Sequence, residues 1–381
     1  MEVPVQGARQ CVKPPPVYAA VGHPRRRHPR NNVRLTDLEI DTLRRESIAT
    51  PLQSNLVMCR NNELATGMPD PTVTVIIPNF NHGDVLGRAV AAHCAQTLQP
   101  FEILIVDDCS TDNSVEVAQA LCRQHSHIRL IRRPVNGGPN AAINTGLAEA
   151  QGEFVAFSAA DDIVDLEFLR RSVETLCRFP EAAFSFLDPS RVLVGPGRTE
   201  HVPMSFAEAP HYFDPDEFER LFRFNQFTIS SNTVVYRRDA ISSIGGFRAD
   251  LEWQADWMAN LVLAFRHGVA YIPEALAHFI VNPDSYGERK RPNADQRRLF
   301  LHCMDVIERE FPDVAVRFRR TCSLPTMRMR SLLWLAESKS GRHFISFRLF
   351  HRALLQEIWT GLRPLTPMGV RRMMRRLVAR I

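Results

Sequence analysis

"TVTVIIPNFNHGDVLGRAVAAHCAQTLQPFEILIVDD", residues 72–108, holds two short runs rich in Val and Ile with one amphipathic stretch between them. The runs "TVTVIIP" (72–78) and "FEILIVDD" (101–108) are apolar throughout, which suits strands buried on both faces rather than on one. "DVLGRAVAAHCAQTL" (84–98) has the apolar spacing and length of a helix that crosses from one strand to the next. Such a crossover joins parallel neighbours and is right-handed.

The alternation continues downstream. "SVEVAQALCRQH" reads as a helix, "IRLIRR" as a strand, "NAAINTGLAEA" as a helix and "EFVAFSAADD" as a strand. "DLEFLRRSVETLCRF" then reads as a helix that leads into the strand "AAFSFL". The expected fold class is α/β, a mainly parallel sheet with helices on both faces. Regularity weakens over 191–210 and returns as the strand "NTVVYR", the helix "RDAISSIG", a helix near "QADWMANLVLAFRHG" and the strand "VAYIP". From about residue 295 the pattern is helical. The expected division is a basic, proline-rich arm over 1–70 with a short helix at "TDLEIDTLRRE", a catalytic domain over 71–290, and a C-terminal helical extension over 291–381.

Composition narrows the class. Of 381 residues 45% are apolar and 23% charged, the balance of a soluble globular chain. The net charge of +5 is concentrated in "HPRRRHPR" near the start and "GVRRMMRRLVARI" at the end. Eight cysteines with no C-x-x-C pair argue against a zinc ribbon or redox motif and for reduced thiols. No membrane-spanning run and no secretory core are evident, so the expected location is cytoplasmic, with a peripheral site on the inner face of the cell membrane as the alternative.

Ligands of open α/β sheets bind beyond the carboxyl ends of the strands. The first run stops at Pro78-Asn79-Phe80-Asn81, the second at Asp107-Asp108 and the fourth at Asp161-Asp162. Phe80 is suited either to stack on a nucleotide base or to fill the core. Asp107 and Asp108 fit ribose or base hydrogen bonds, and fit equally a turn and a helix cap. A doubled carboxylate at 161–162 repels a pyrophosphate unless a divalent cation lies between them.

The ordered set "VTVIIPNFNHGDVLGRAVAAHCAQTLQPFEILIVDDCSTDNS", "NGGPNAAINTG" and "GEFVAFSAADD" resembles glycosyltransferase family 2, over roughly residues 72–285. The resemblance implies a GT-A, Rossmann-like fold and an inverting transfer from a nucleotide sugar, most often a uridine diphosphate sugar. It implies a donor site at Pro78, Phe80, Asn81, Asp107, Asp108, Asp161 and Asp162, with Phe80 and Asp108 on the nucleoside. Asp161 is then the metal ligand, for Mn2+ or Mg2+. "IGGFRADLEWQADWMANLVL" is similar to the segment that carries the catalytic base, which places that role on Asp256, with Glu252 as a rival and an ordinary helix carboxylate as the plain reading. Trp253 and Trp257 line the acceptor pocket or simply pack.

The chain departs from the family pattern at four positions: Ala159 replaces the first acid of the metal motif, Ala255 the acid before the base, Ile143 an arginine, and Asn282 a histidine. No G-x-G-x-x-G follows the first strand, which argues against a dinucleotide oxidoreductase. The expected partners are a nucleotide-sugar donor and a saccharide or lipid-linked acceptor for a cell-surface glycan, with no nucleic acid. In "GVRRMMRRLVARI", apolar residues at helical spacing alternate with arginines, which suits an anionic membrane surface. The alternative function is a catalytically weak or inactive nucleotide-binding protein that acts as a membrane-surface partner.

Overall fold

The computed structural model describes residues 71–362 apart from 161–162, 194–197, 202, 226, 282–295 and 325–328. The expected helix at 36–46, Asp161, Asp162, Asn282 and the basic segment 369–381 lie outside the described residues.

The chain opens with β1 (Val73–Asn79), α1 (Gly83–Cys94), β2 (Glu102–Asp107), α2 (Ser114–Gln124), β3 (Ile128–Arg132), α3 (Pro139–Glu149) and β4 (Phe154–Phe157). β1 pairs in parallel with β2 and β4, and β2 with β3. These elements follow from the continuous apolar runs, which here bury both faces. Ile76 enters one core with Leu104 and Val106, while Val75 and Ile77 enter the other with Ile103 and Ile105. That is the period-2 alternation of a strand between two helical layers. α3 lies close against β1: a Cβ on Gly146 would come 2.5 Å from the Ile76 side chain.

Next come β5 (Ile163–Val164), α4 (Phe168–Arg178), β6 (Phe184–Leu187), β7 (Ser190–Leu193), β8 (Arg198–His201), β9 (His211–Phe213) and α5 (Pro215–Phe224). β10 (Val234–Arg237), α6 (Arg238–Ser243), α7 (Ala255–His267), β11 (Val269–Ile272) and β12 (Ala277–Val281) follow. The main sheet has eight strands in the order β3-β2-β1-β4-β10-β6-β11-β9. β10 is antiparallel between β4 and β6, and β9 closes the edge antiparallel to β11. A second sheet, β5-β12-β7-β8, has four short strands.

The described C-terminal part is helical: α8 (Gln296–Glu310), α9 (Pro312–Thr321), α10 (Met329–Glu337) and α11 (Phe347–Leu362). Phe300, Ile307 and Phe318 share one buried cluster with α3, α7 and the sheet, so this part packs directly on the α/β layer. No helix among the described residues is long and apolar enough to cross a membrane. Among the six described cysteines Cys109 is disulfide-bonded and the other five are free. The expectation of uniformly reduced thiols therefore fails at that position.

Candidate active site

The turns that leave β1 and β2 are laced together. Asn79 donates to Asp107 at 3.2 Å and to Ser110 at 3.3 Å, and Asp107 accepts from the Ser110 amide at 3.1 Å. Asn81 takes a left-handed backbone, φ 57°, a conformation that Asn tolerates better than most residues. Its side-chain oxygen accepts from the Thr111 amide at 2.7 Å. Asp112 accepts from Gly83 and Ser114, and so serves the free amides that start α1 and α2 together. These bonds hold the first crevice wall rigid and leave the Phe80 ring 43% exposed. Phe80 is thus a surface aromatic, and the core reading fails.

Asp107 and Asp108 are both buried. Asp107 is the turn-closing carboxylate just described. Asp108 accepts from the Arg133 guanidinium, from the Gly137 amide at 3.0 and 3.2 Å and from the Gly138 amide at 2.7 Å. It therefore closes the 133–138 loop and fixes the start of α3. Gly138, at φ 84°, lets both amides turn toward it. Arg133 went unread in the sequence, and the glycine pair entered only as part of "NGGPNAAINTG", although "RRPVNGGPN" carries the signal of a turn opening a helix.

β4 delivers the chain to the same edge: Ser158 donates its amide to the Ile76 carbonyl at 3.0 Å, and Ala160 is buried just before Asp161. Among the described residues no group of three or more His, Cys, Asp or Glu could hold a metal ion. Two departures from the family pattern have a packing reason. Ile143 on α3 and Ala255 at the start of α7 both face the core, where an Arg or a Glu would be buried.

Asp256 reaches this edge from the other side. Val235 pairs with Ala156 across antiparallel strands, so the turn before β10, Ser231–Thr233, lies beyond the carboxyl end of β4. Ser231 is 3.4 Å from the Asp256 carboxylate, which also accepts from the Trp257 amide at 2.7 Å. Burial pushes the Asp256 carboxyl up to about 6, with those two donors pulling it down. Below it, Tyr236 donates to Asn260 at 2.7 Å, and Asn260 donates to the Ile229 carbonyl at 3.2 Å. Trp257 packs edge-on against Phe318 and lines a shallow cleft with Phe227, Ile229, Asn260 and Leu261.

Glu252, the rival base, holds a backbone that L-residues rarely adopt, φ 48° and ψ −123°. Asn140, in the first turn of α3, donates to its carbonyl at 2.6 Å, and Asn144 holds Phe247 through bonds of 2.6 and 2.9 Å. α3 therefore braces the loop before Asp256 at one side and the Asp108 loop at its N-terminus. Neither Ser231 nor Asn140 carries a sequence signal, because both act through tertiary placement.

Comparison with known proteins agrees with this architecture. Residues 74–245 match the family described as "Glycosyl transferase family 2". The uncharacterized glycosyltransferase EpsJ of Bacillus subtilis is 29% identical over 230 residues, 57% of this chain and 63% of EpsJ. The match spans only 26% to 41% of the length of four other curated glycosyltransferases. S. aureus TarS 1-349 in complex with UDP-GlcNAc superposes with TM-score 0.55 at 18% identity, over 81% of this chain and 89% of that one. The mannosyltransferase PcManGT of Pyrobaculum calidifontis in complex with GDP-Man and Mn2+ gives TM-score 0.50 at 17% identity, over 90% and 92%. The chain carries a glycosyltransferase family 2 domain built on the GT-A fold.

Proposed function

We propose that the chain is an inverting, metal-dependent glycosyltransferase. It moves a sugar from a nucleoside diphosphate donor, a UDP-sugar by preference, to a saccharide or lipid-linked acceptor of a cell-surface glycan. The observation that carries this is the placement of the Asp256 carboxyl, at about 6, on the sheet edge where β1, β2 and β4 end. Donor complexes of the two GT-A neighbours, with UDP-GlcNAc and with GDP-Man, support the donor class.

In this reading the base stacks on the Phe80 ring and the ribose lies along Pro78, Asn81 and Asp107. Asp108 orders the 133–138 wall, and a base N–H competes for the oxygen it shares with the Gly137 amide. Asp161, with Asp162 beside it, holds a divalent cation, Mn2+ or Mg2+, whose chemistry when bound is to offset the charge on the leaving diphosphate. Asp256 takes the proton from the acceptor hydroxyl as its oxygen attacks the anomeric carbon. The bond from that carbon to the diphosphate breaks on the opposite face, its electron pair leaves with the diphosphate, and the configuration inverts. We propose residues 71–290 as the catalytic domain, between the 1–70 arm and the 291–381 extension.

Thermal-shift titration of the full chain with UDP- and GDP-sugars, with and without Mn2+, tests this reading. Stabilisation by one sugar nucleotide that needs Mn2+ and is lost in Asp161→Asn is expected. Equal stabilisation in excess chelator would remove the metal from the account. Binding without any turnover would favour the inactive nucleotide-binding alternative.

A further inference from the structure

α11 is mounted with large apolar side chains facing out. Phe347, Phe350, Leu354 and Ile358 are 86%, 45%, 39% and 48% exposed, and their spacing puts them on one helical face. Leu333 on α10 and Ile345 just before α11 are exposed as well. The opposite face of α11 buries Leu349, Arg352 and Ala353. Arg348 and Arg352 both donate to the Arg223 carbonyl in the last turn of α5, and Arg348 lies over the Phe224 ring. Arg352 also reaches the Thr321 carbonyl at 3.1 Å. Two guanidiniums at the carbonyl end of a helix satisfy groups that the helix itself leaves open. The helix is therefore anchored by arginines and small apolar contacts, and its bulkiest apolar residues face away from the body.

Charge says what covers that face. Residues 341–381 contain nine Arg and no Lys against a single acid, Glu357. That is +8 where the whole chain is +5, so residues 1–340 carry −3. A second copy docked on this face by two-fold symmetry would set one arginine-rich segment against the other. A bilayer with anionic headgroups meets both features at once, taking the apolar stripe into its interface and pairing the arginines with lipid phosphates.

We infer that the exposed face of α11 seats in the surface of an anionic membrane, with the basic segment after it bound to the headgroups. The pairing orients the chain on the bilayer with no spanning helix among the described residues. The inference is independent of the catalytic reading.

Co-sedimentation of the full chain with phosphatidylcholine vesicles, with and without phosphatidylglycerol, tests it. The wild-type chain should sediment only with the phosphatidylglycerol vesicles and should be released by salt. The double variant Phe347→Ser, Phe350→Ser should partition about 10-fold less, with an unchanged Tm because both rings already face water. Replacing Arg371, Arg372, Arg375 and Arg376 by Gln should abolish the lipid-charge dependence. Three results would overturn the inference: no binding of the wild type, full binding of the Phe variant, or a concentration-dependent dimer that the Phe variant dissociates.

Discussion

Substituting Asp256 by Asn should stabilise the fold and stop transfer. Burial holds the Asp256 carboxyl at about 6, against an ordinary carboxylate value near 4. The folded chain thus binds this proton more tightly than the unfolded chain. No stability is lost below about pH 4. The cost grows as pH rises toward 6 and stands in full above it, at about 2–3 kcal/mol. Asn cannot ionise and still offers an oxygen to the Trp257 amide, so the variant recovers part of this at pH 7.5. Each recovered kcal/mol raises Tm by about 2–4 °C.

The same number sets the rate profile. If Asp256 is the base, only its ionised form accepts the acceptor proton. The kcat/KM for acceptor should then fall about tenfold between pH 7 and pH 5 along a limb of unit slope, because about a tenth of the carboxyl is ionised at the lower pH. Calorimetry of both proteins and initial rates from pH 5 to 8.5 check the pair of effects. A variant with wild-type turnover would remove Asp256 from catalysis. A variant that loses both turnover and stability would show a packing role instead.

Other perturbations reach the remaining parts of the site. Phe80→Ala removes an exposed ring, so donor affinity measured by titration calorimetry should weaken by about 1–3 kcal/mol with Tm unchanged. An unaltered Kd would take the base off this ring. Glu252→Gly accepts the positive φ without strain, so stability should rise by about 1 kcal/mol while transfer falls as the loop before Asp256 loosens. A lower Tm would mean that the Glu252 side chain contributes more than its backbone costs.

The first half of the sheet was readable because β1 and β2 are continuous apolar runs with crossover helices between them. Strand order was not readable. Nothing in "NTVVYR" tells that β10 enters antiparallel between β4 and β6, since periodicity reports faces and not neighbours. "EFVAFSAADD" promised a strand up to the acids, yet β4 ends at Phe157, and Ser158 makes the last bond to β1 through the Ile76 carbonyl. The small second sheet has strands of two to five residues, too short for a pattern. α5 was missed despite its signals, Asp214 as N-cap to the Asp216 and Glu217 amides and Pro215 at the first position.

At the site, residue types were legible and their partners were not. The doublet at 107–108 was open between ligand binding and turn formation, and the structure shows both carboxylates engaged in loop closure. The reading of Asp256 as an exposed helix carboxylate gives way to a half-buried one, because Ser231 and Tyr236 come from a distant part of the chain. Ala255 and Ile143 look like lost function in the sequence and are core residues in the fold.

The central claim is one crevice for a cation-bridged nucleotide diphosphate at the carboxyl edge of the sheet. A crystal structure of the full chain soaked with UDP-sugar and Mn2+ tests it most directly. The account predicts the base against Phe80, the ribose along the β2 turn and anomalous density for Mn2+ beside Asp161, with Asp256 facing the anomeric carbon. Nucleotide density anywhere else, or a metal held away from Asp161, would contradict it.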